Sequence, residues 1–456
     1  MDLSSAKLTI NVNERVHLYS TPTLETLKLG SLYPNVFPTF IFNLTHLKQL
    51  NLSYSSLMGA IPCCISELKN LLYLDLSNNK LHGPLPLLPQ GIYHSDLSQN
   101  KLDGDISLEA GERLSSARNI ILNGNELSGT IPSSICSPGP RKTYDQVFID
   151  LSNNKLSGII PFSIGFCRFL WYLNLGNNNL SGNVPNEFQQ VESLQYLQLS
   201  YNNLNGLIPY GFGSSSNLRI LSLRSNKFNG SIPEGIYQIF FLQILDLSKN
   251  NFSGSISRGI SNLMMLRVRT DIDGYICPMQ NGKMQFQLAT KGSVAEFDDL
   301  YQYSSGIDLS CNILDGKIPR EISSLNGLAM LNLSHNFFSN NIPSNIGDMS
   351  KLESLDLSFN RLSGDIPQSL TNIDSLGFLS LSHNNLSGRI PRGNHFDTYS
   401  LEGSTFSGND LLCGFPTKKD CEGDSRGCKT EDIVVCYHCL RIWSWVLEFV
   451  LSFASK

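Results

Sequence analysis

Apolar and polar positions follow one frame that recurs along almost the whole chain. In residues 71–86 it reads Leu71, Leu74, Leu76, Asn79, Leu81, Gly83, Leu85 and Pro86. It returns as Leu170, Leu173, Leu175, Asn178, Leu180, Gly182, Val184 and Pro185, and as Leu352, Leu355, Leu357, Asn360, Leu362, Gly364, Ile366 and Pro367. Clear frames start near residues 47, 71, 92, 117, 146, 170, 194, 218, 242, 304, 328, 352 and 376, with a degenerate one at Leu24. Of the 13 spacings between these starts eight are 24 residues, four are 23, 21, 25 and 29, and one is 62. Self-similarity at such a period is the signature of a stacked repeat.

The frame predicts its own structure. In LxxLxL the fourth and sixth residues lie on one face of a short strand, because strand side chains alternate. Asn occupies position nine in 12 of the 13 clear frames, Ser55 being the exception. There the chain turns away from the strand, and an amide that both donates and accepts satisfies backbone groups a buried turn leaves unpaired. Gly-x-Ile-Pro turns the chain again and adds an inward apolar residue. A single coil cannot bury its own face, so neighbours stack and stability becomes nearly one-dimensional. The ladder predicts that Asn226→Ala costs more than Asn125→Ala, which lies beside the irregular spacings. The fold is an α/β repeat, a leucine-rich-repeat solenoid with a 24-residue period.

Composition agrees and excludes other classes. Leu (69) and Asn (43) make up about a quarter of the 456 residues, a pairing that builds turns at regular intervals. With 34 basic and 39 acidic residues, net charge −5 and no basic block, the chain has no nucleic-acid footprint. No Walker loop, GxSxG, HExxH or kinase signature is present, and the Asp residues at position five (Asp75, Asp96, Asp150, Asp246, Asp308, Asp356) are pattern residues of the strand rather than an acid–base pair. The chain is read as a non-enzyme without cofactor. Cys436, His438 and Cys439 lack a second ligand pair, so no metal is assigned.

The LxxLxLSxNxLxGxIP form resembles the plant-type leucine-rich repeat of cell-surface receptor-like proteins, over roughly residues 24–399. The resemblance implies a right-handed superhelix with a concave parallel sheet, twisted further by the GxIP segments. It divides the chain into an ill-defined segment 1–23, repeats 24–263, an island 264–303, repeats 304–399, a C-terminal cap 400–421, a spacer 422–432 and an apolar tail 433–456. The island interrupts the Leu period with Lys291-Gly292, Glu296-Phe297 and Tyr301-Gln-Tyr303, and resembles the island of receptor-like proteins. Each coil touching only its neighbours, the island should be removable without unfolding the repeats. Ser404-Thr-Phe406, Gly408-Asn409, Leu411-Leu412-Cys413-Gly414 and Pro416 resemble the closing segment of the family, which implies a Cys413–Cys421 disulfide.

The family also leads one to expect a signal peptide and an early cysteine-bearing cap. The chain begins Met1-Asp-Leu-Ser-Ser-Ala-Lys and has its first cysteine at Cys63, so it reads as truncated at the N-terminus. Residues 433–454 hold 17 apolar positions in 22 but include His438, Arg441 and Glu448, which makes a membrane span there doubtful. Sequons stand at Asn43, Asn51, Asn179, Asn229, Asn251, Asn332 and Asn385, as suits a glycoprotein.

Positions two, five, seven and eight of each frame are expected on the exposed concave surface, with position three (Tyr73, Phe148, Tyr172, Tyr196) as packing. Most coils present Ser, Asp, Asn and Gln there. Between frames 170 and 242 the set becomes Trp171, Gln195, Gln198, Tyr201, Arg219, Arg224 and Lys249, the residue types that carry binding energy. Its basic members favour a ligand bearing carboxylates or sulfates. By resemblance the function is that of a receptor ectodomain at the outer face of the plasma membrane. It would bind a peptide, glycan or microbial molecule in defence or development and signal through a receptor-kinase co-receptor docked near frames 328 to 376. The alternatives are a secreted, apoplastic inhibitor of a cell-wall-degrading enzyme, or a detached or remnant receptor-kinase ectodomain.

Overall fold

The computed structural model describes residues 2–3, 23–29, 35–136, 146–214, 217–268, 286–290, 293–297, 305–393, 404–417 and 419–421. Most of the island, the spacer and the apolar tail lie outside these residues. Each repeat is called here a coil and carries the number of its first frame residue.

Every coil from 47 to 376 contributes one short strand to a 15-stranded parallel sheet whose strand order follows the chain. The series opens with Asp2–Leu3 on Thr26–Leu29, and Ile244–Asp246 pairs directly with Gly306–Asp308, so the island leaves the sheet unbroken. Positions four and six point inward. In coil 170, Leu170, Leu173, Leu175, Leu180, Val184, Phe188 and Val191 are all buried, and equivalent residues join into one core running through Leu266 to the cap residues Phe406 and Leu412. A buried Leu contributes about 1.5–3 kcal/mol relative to an exposed one, but only because the next coil covers it. Coils return through five-residue 3-10 turns such as Asn186–Gln190; among the described residues only Leu108–Leu114 and Met264–Arg267 are α-helical. A 24-residue period leaves no room for more.

The asparagine ladder runs from Asn79 to Asn409. Asn226 Nδ2 donates to the carbonyls of Leu199 (2.9 Å) and Leu223 (3.1 Å), and its Oδ1 accepts from the amide of Leu204 (3.0 Å). Asn125 does the same with Leu97 (3.0 Å), Leu122 (3.0 Å) and Leu102 (3.0 Å). The irregular spacings beside coil 117 therefore leave these three bonds of its rung intact, and Asn226 adds a longer one to the Arg224 carbonyl (3.3 Å). The extra residues are taken up outside the turn. At the one exception, Ser55 Oγ donates to the Leu29 carbonyl (3.0 Å) but cannot mimic the amide's accepting side. Position eight, just before the ladder residue, is left-handed throughout, as at Asn78 (φ 57°) and His383 (φ 53°).

Among the described residues two disulfides are present. Cys413–Cys421 closes the cap, whose strand Leu411–Cys413 pairs with Asn385–Arg389. Cys136–Cys167, unanticipated from sequence, clamps coil 117 to coil 146 across the 29-residue spacing. Among the described residues Cys63, Cys64 and Cys311 are free. Within the island, Phe286–Thr290 and Ser293–Phe297 form an antiparallel hairpin whose first strand lies beside Gly306–Asp308. No helix among the described residues is long and apolar enough to cross a membrane.

Candidate functional site

The outer face of the long sheet carries a second apolar cluster, separate from the core. It consists of Ile121, Phe148, Trp171, Tyr172, Tyr196, Ile220, Ile244 and Met330. Most are position-three residues in register, Phe148 opposite Tyr172, then Tyr196, Ile220 and Ile244. Phe148 and Tyr172 stack at 4.0 Å, and Trp171 meets Tyr196 edge-on at 5.5 Å.

Trp171 is only 4% exposed, which overturns its place on the solvent-facing list. The cause is a register shift: Val147 pairs with Leu170 and Phe148 with Tyr172, so Trp171 is the extra residue of a bulge. Bulges re-aim side chains, and this one turns the indole into the aromatic column.

Arg224 is likewise 4% exposed, contrary to its reading as a free cation. Its side chain lies back along the sheet across coil 242. Nη1 donates to Ser248 Oγ (2.8 Å) and Asp308 Oδ2 (3.2 Å) and sits 3.6 Å from Asp246 Oδ2, while Nε donates to Tyr201 Oη (3.2 Å). Asp246 Oδ1 accepts from the amide (3.0 Å) and hydroxyl (2.6 Å) of Ser248, whereas its Oδ2 is buried without a hydrogen bond. One guanidinium thus faces two buried carboxylates and can compensate only one of them when both are ionised. Burial raises both carboxyls above their ordinary range; for Asp308 the Asp246 charge adds to it, and for Asp246 the guanidinium opposes it.

Of the other predicted contacts, Lys249 is exposed and Gln195, Gln198, Tyr201 and Arg219 are half-buried, Arg219 lying 5.8 Å over the Phe241 ring. The structure thus joins Tyr201 to Arg224 and sends Trp171 elsewhere. The charge pair Asp246–Asp308 was passed over because Asp recurs at position five. A signal was available in coil 218, which has Ser222 where coils 242 and 304 have Asp and Arg224 where nearly all others have Ser or Gly.

A smaller polar cluster sits in coils 71 to 117. His94 stacks on Tyr73 at 4.2 Å, and its Nδ1 accepts from Asn119 Nδ2 (2.9 Å). That bond places the proton of the neutral ring on Nε2, which is buried and unpartnered. Burial depresses His94 to about 4, against the pull of Asp75, and pushes the neighbouring Asp96 up to about 6. No group of three or more metal-ligating side chains occurs among the described residues.

Sequons Asn43, Asn179, Asn229, Asn251 and Asn385 are exposed. Asn51 and Asn332 are half-buried on the sheet, and Asn51 Nδ2 donates to Asp75 Oδ2 (2.9 Å).

Comparison with known proteins agrees with this architecture. Leucine rich repeat family models match residues 22–81, 148–204 and 172–228, and 241–263, 327–349 and 351–373. Receptor-like protein 7 of Arabidopsis thaliana is 33% identical over 145 residues, 31% of this chain and 14% of that protein. Receptor-like protein EIX2 of Solanum lycopersicum is 38% identical over 111 residues, 24% of this chain and 11% of that one. The matched stretches are thus a small part of these relatives' length. Among solved structures, the plant peptide hormone receptor RGFR1 in complex with RGF2 superposes with a TM-score of 0.68 at 28% identity, covering 84% of this chain and 54% of that one. The Arabidopsis receptor kinase HAESA, in complex with the peptide hormone IDA and the co-receptor SERK1, gives 0.55 at 30% identity, covering 89% and 72%.

The fold and its ladder define a leucine-rich-repeat protein, whose repeat region is a ligand-binding rather than a catalytic architecture. Within it, the curated relatives named above are plant receptor-like proteins, which the chain resembles over part of its length.

Proposed function

We propose that this chain forms the ligand-capturing region of a cell-surface receptor, working at the outer face of the plasma membrane with a receptor-kinase partner. The observation that carries the reading is the island hairpin set beside the Asp308 strand, where the sheet face holds a buried, incompletely compensated charge cluster. A solenoid has no structural need for either. A peptide is the ligand class best supported, since RGFR1 and HAESA are described in complex with peptide hormones. Arg224 being neutralised by buried Asp246 and Asp308, the cations left for an anionic ligand group in this set are the exposed Lys249 and the half-buried Arg219. The five exposed sequons suit glycans that leave the sheet open. To test this, an immobilised chain is offered a library of synthetic peptides, beside a variant lacking residues 268–304. Selective capture that the deletion abolishes is the expected result; no capture, or capture indifferent to the deletion, defeats the reading.

A further inference from the structure

A second site lies on the returning turns, away from the sheet face. Coils 242, 304 and 328 enclose a cavity of about 1180 Å³ whose walls include Arg258, Lys317, Arg320, Glu321, Asn341 and Asp348. Its origin is a local departure from the frame. Position 13 is Gly in every clear coil except 328, where Asn340 stands with φ 64°. The turn that follows is shortened to Ile346–Asp348. It is drawn toward the next coil: Ser369 Oγ donates to the Ser344 carbonyl (2.7 Å), the Gly347 amide donates to Ser369 Oγ (3.3 Å), and Gly347 packs on the Ser369 carbonyl with no room for a Cβ. On the side facing coil 304, where Asn345 Nδ2 donates to the Arg320 carbonyl (3.2 Å), the cavity opens.

The charges around that space are unusual. Arg258 and Arg320 open the 3-10 turns Arg258–Asn262 and Arg320–Ser324 of adjacent coils, and both line the cavity together with Lys317. Among the described residues none of the three takes part in a salt bridge. Like charges facing across neighbouring strands or coils destabilise them, so the arrangement has a cost that an anion would relieve. Glu321 and Asp348 share the wall, which leaves a net charge of +1 from three cations and two carboxylates. A sugar acid suits this mixed wall, because its hydroxyls can donate to the carboxylates and exchange hydrogen bonds with the Asn341 amide while a carboxylate takes the arginines. The apolar wall residues Ile318, Ile342 and Pro343 are buried, so there is no anchor pocket for a peptide side chain.

We propose that this cavity binds a carboxylate-bearing oligosaccharide, a uronic-acid oligomer, independently of any ligand on the sheet. The probe is an oligogalacturonate, with its fully methyl-esterified form and a poly-glutamate peptide beside it, measured by calorimetry on the intact chain. Oligogalacturonate should bind, and both esterification and the double variant Arg258→Gln/Arg320→Gln should weaken binding by roughly tenfold or more, the scale of two lost charge-assisted contacts. Both arginines are exposed, so an unchanged unfolding midpoint will show the variant folded; the ester arm needs no variant at all. Failure of the native chain to bind, binding undiminished by ester or variant, or equal binding of poly-glutamate would overturn the assignment.

Discussion

Coils 92 and 146 carry the same Asp at position five as coils 242 and 304, and all four carboxylates are buried on the same sheet face. Their surroundings differ. Asp96 and Asp150 have only a Ser two residues on, whose amide and hydroxyl cap one oxygen, with an Asn added for Asp150. No cation contributes to either, and burial pushes both up to about 6. Asp246 and Asp308 share Arg224, which coil 218 supplies by abandoning the Asp-x-Ser pair. One frame position thus holds two electrostatic solutions: a buried carboxylate with no cation, whose pKa burial raises, and a charge network spanning three coils. Backbone geometry is common to both, so what separates them is the cation alone.

Removing that cation should have the largest effect. Arg224→Met leaves two buried carboxylates uncompensated and should destabilise by about 3–5 kcal/mol, the scale for breaking a buried ion pair from one side. Adding Asp308→Asn to it should recover most of the loss in urea unfolding. A single variant as stable as the parent would erase the distinction between the two regions.

Second in size come the ladder residues. Asn226 in the charged region and Asn125 beside the uncharged one make matching bonds, so Asn226→Ala and Asn125→Ala should each cost about 1–3 kcal/mol, the penalty of unpaired buried backbone groups. Unequal losses in thermal unfolding would show that the regions differ in backbone as well as charge.

Much of this was readable beforehand. Period, strand positions, ladder and cap follow from Leu, Asn and Gly spacing, because local geometry repeats and each coil inherits its neighbour's environment. The site was less readable. Trp171 is aimed by a bulge that depends on pairing with coil 146, and Arg224 is buried by an Asp that is 84 residues away in sequence. Both depend on contacts between coils, where the frame describes only what happens within one. Cys136–Cys167 escaped for the same reason, its members lying in adjacent coils and different frame positions.

A third, smaller effect concerns pH. Asp150 is raised in the folded chain, so its contribution is fully present below the ordinary carboxylate range and is lost as pH rises through about 6. Asp150→Asn should therefore stabilise the protein by on the order of 1–2 kcal/mol at neutral pH and hardly at all in acid. Asn is structurally acceptable at this position, since Asn51 and Asn332 accept the same bonds from Ser53 and Ser334. His94 runs the opposite way: its pKa is depressed, so the stability it confers above its ordinary range is lost as pH falls through about 4. Melting curves of parent and Asp150→Asn that remain parallel across this range would remove burial as the cause.

The smallest effect should come from Asp356, the control that isolates burial from column membership. It occupies position five of coil 352, and its Oδ1 accepts from the amide (2.9 Å) and hydroxyl (2.6 Å) of Ser358, as Asp150 accepts from Ser152. Unlike Asp150 it is half-buried and keeps contact with water. Asp356→Asn preserves the capping bonds and removes a charge that solvent already screens, so stability should change by no more than about 0.5 kcal/mol at neutral pH. If Asp356→Asn stabilises as much as Asp150→Asn, the benefit belongs to the column as a whole, through repulsion between stacked carboxylates. The contrast between the regions would then come from their spacing along the sheet, and Arg224 would act by interrupting that repulsion.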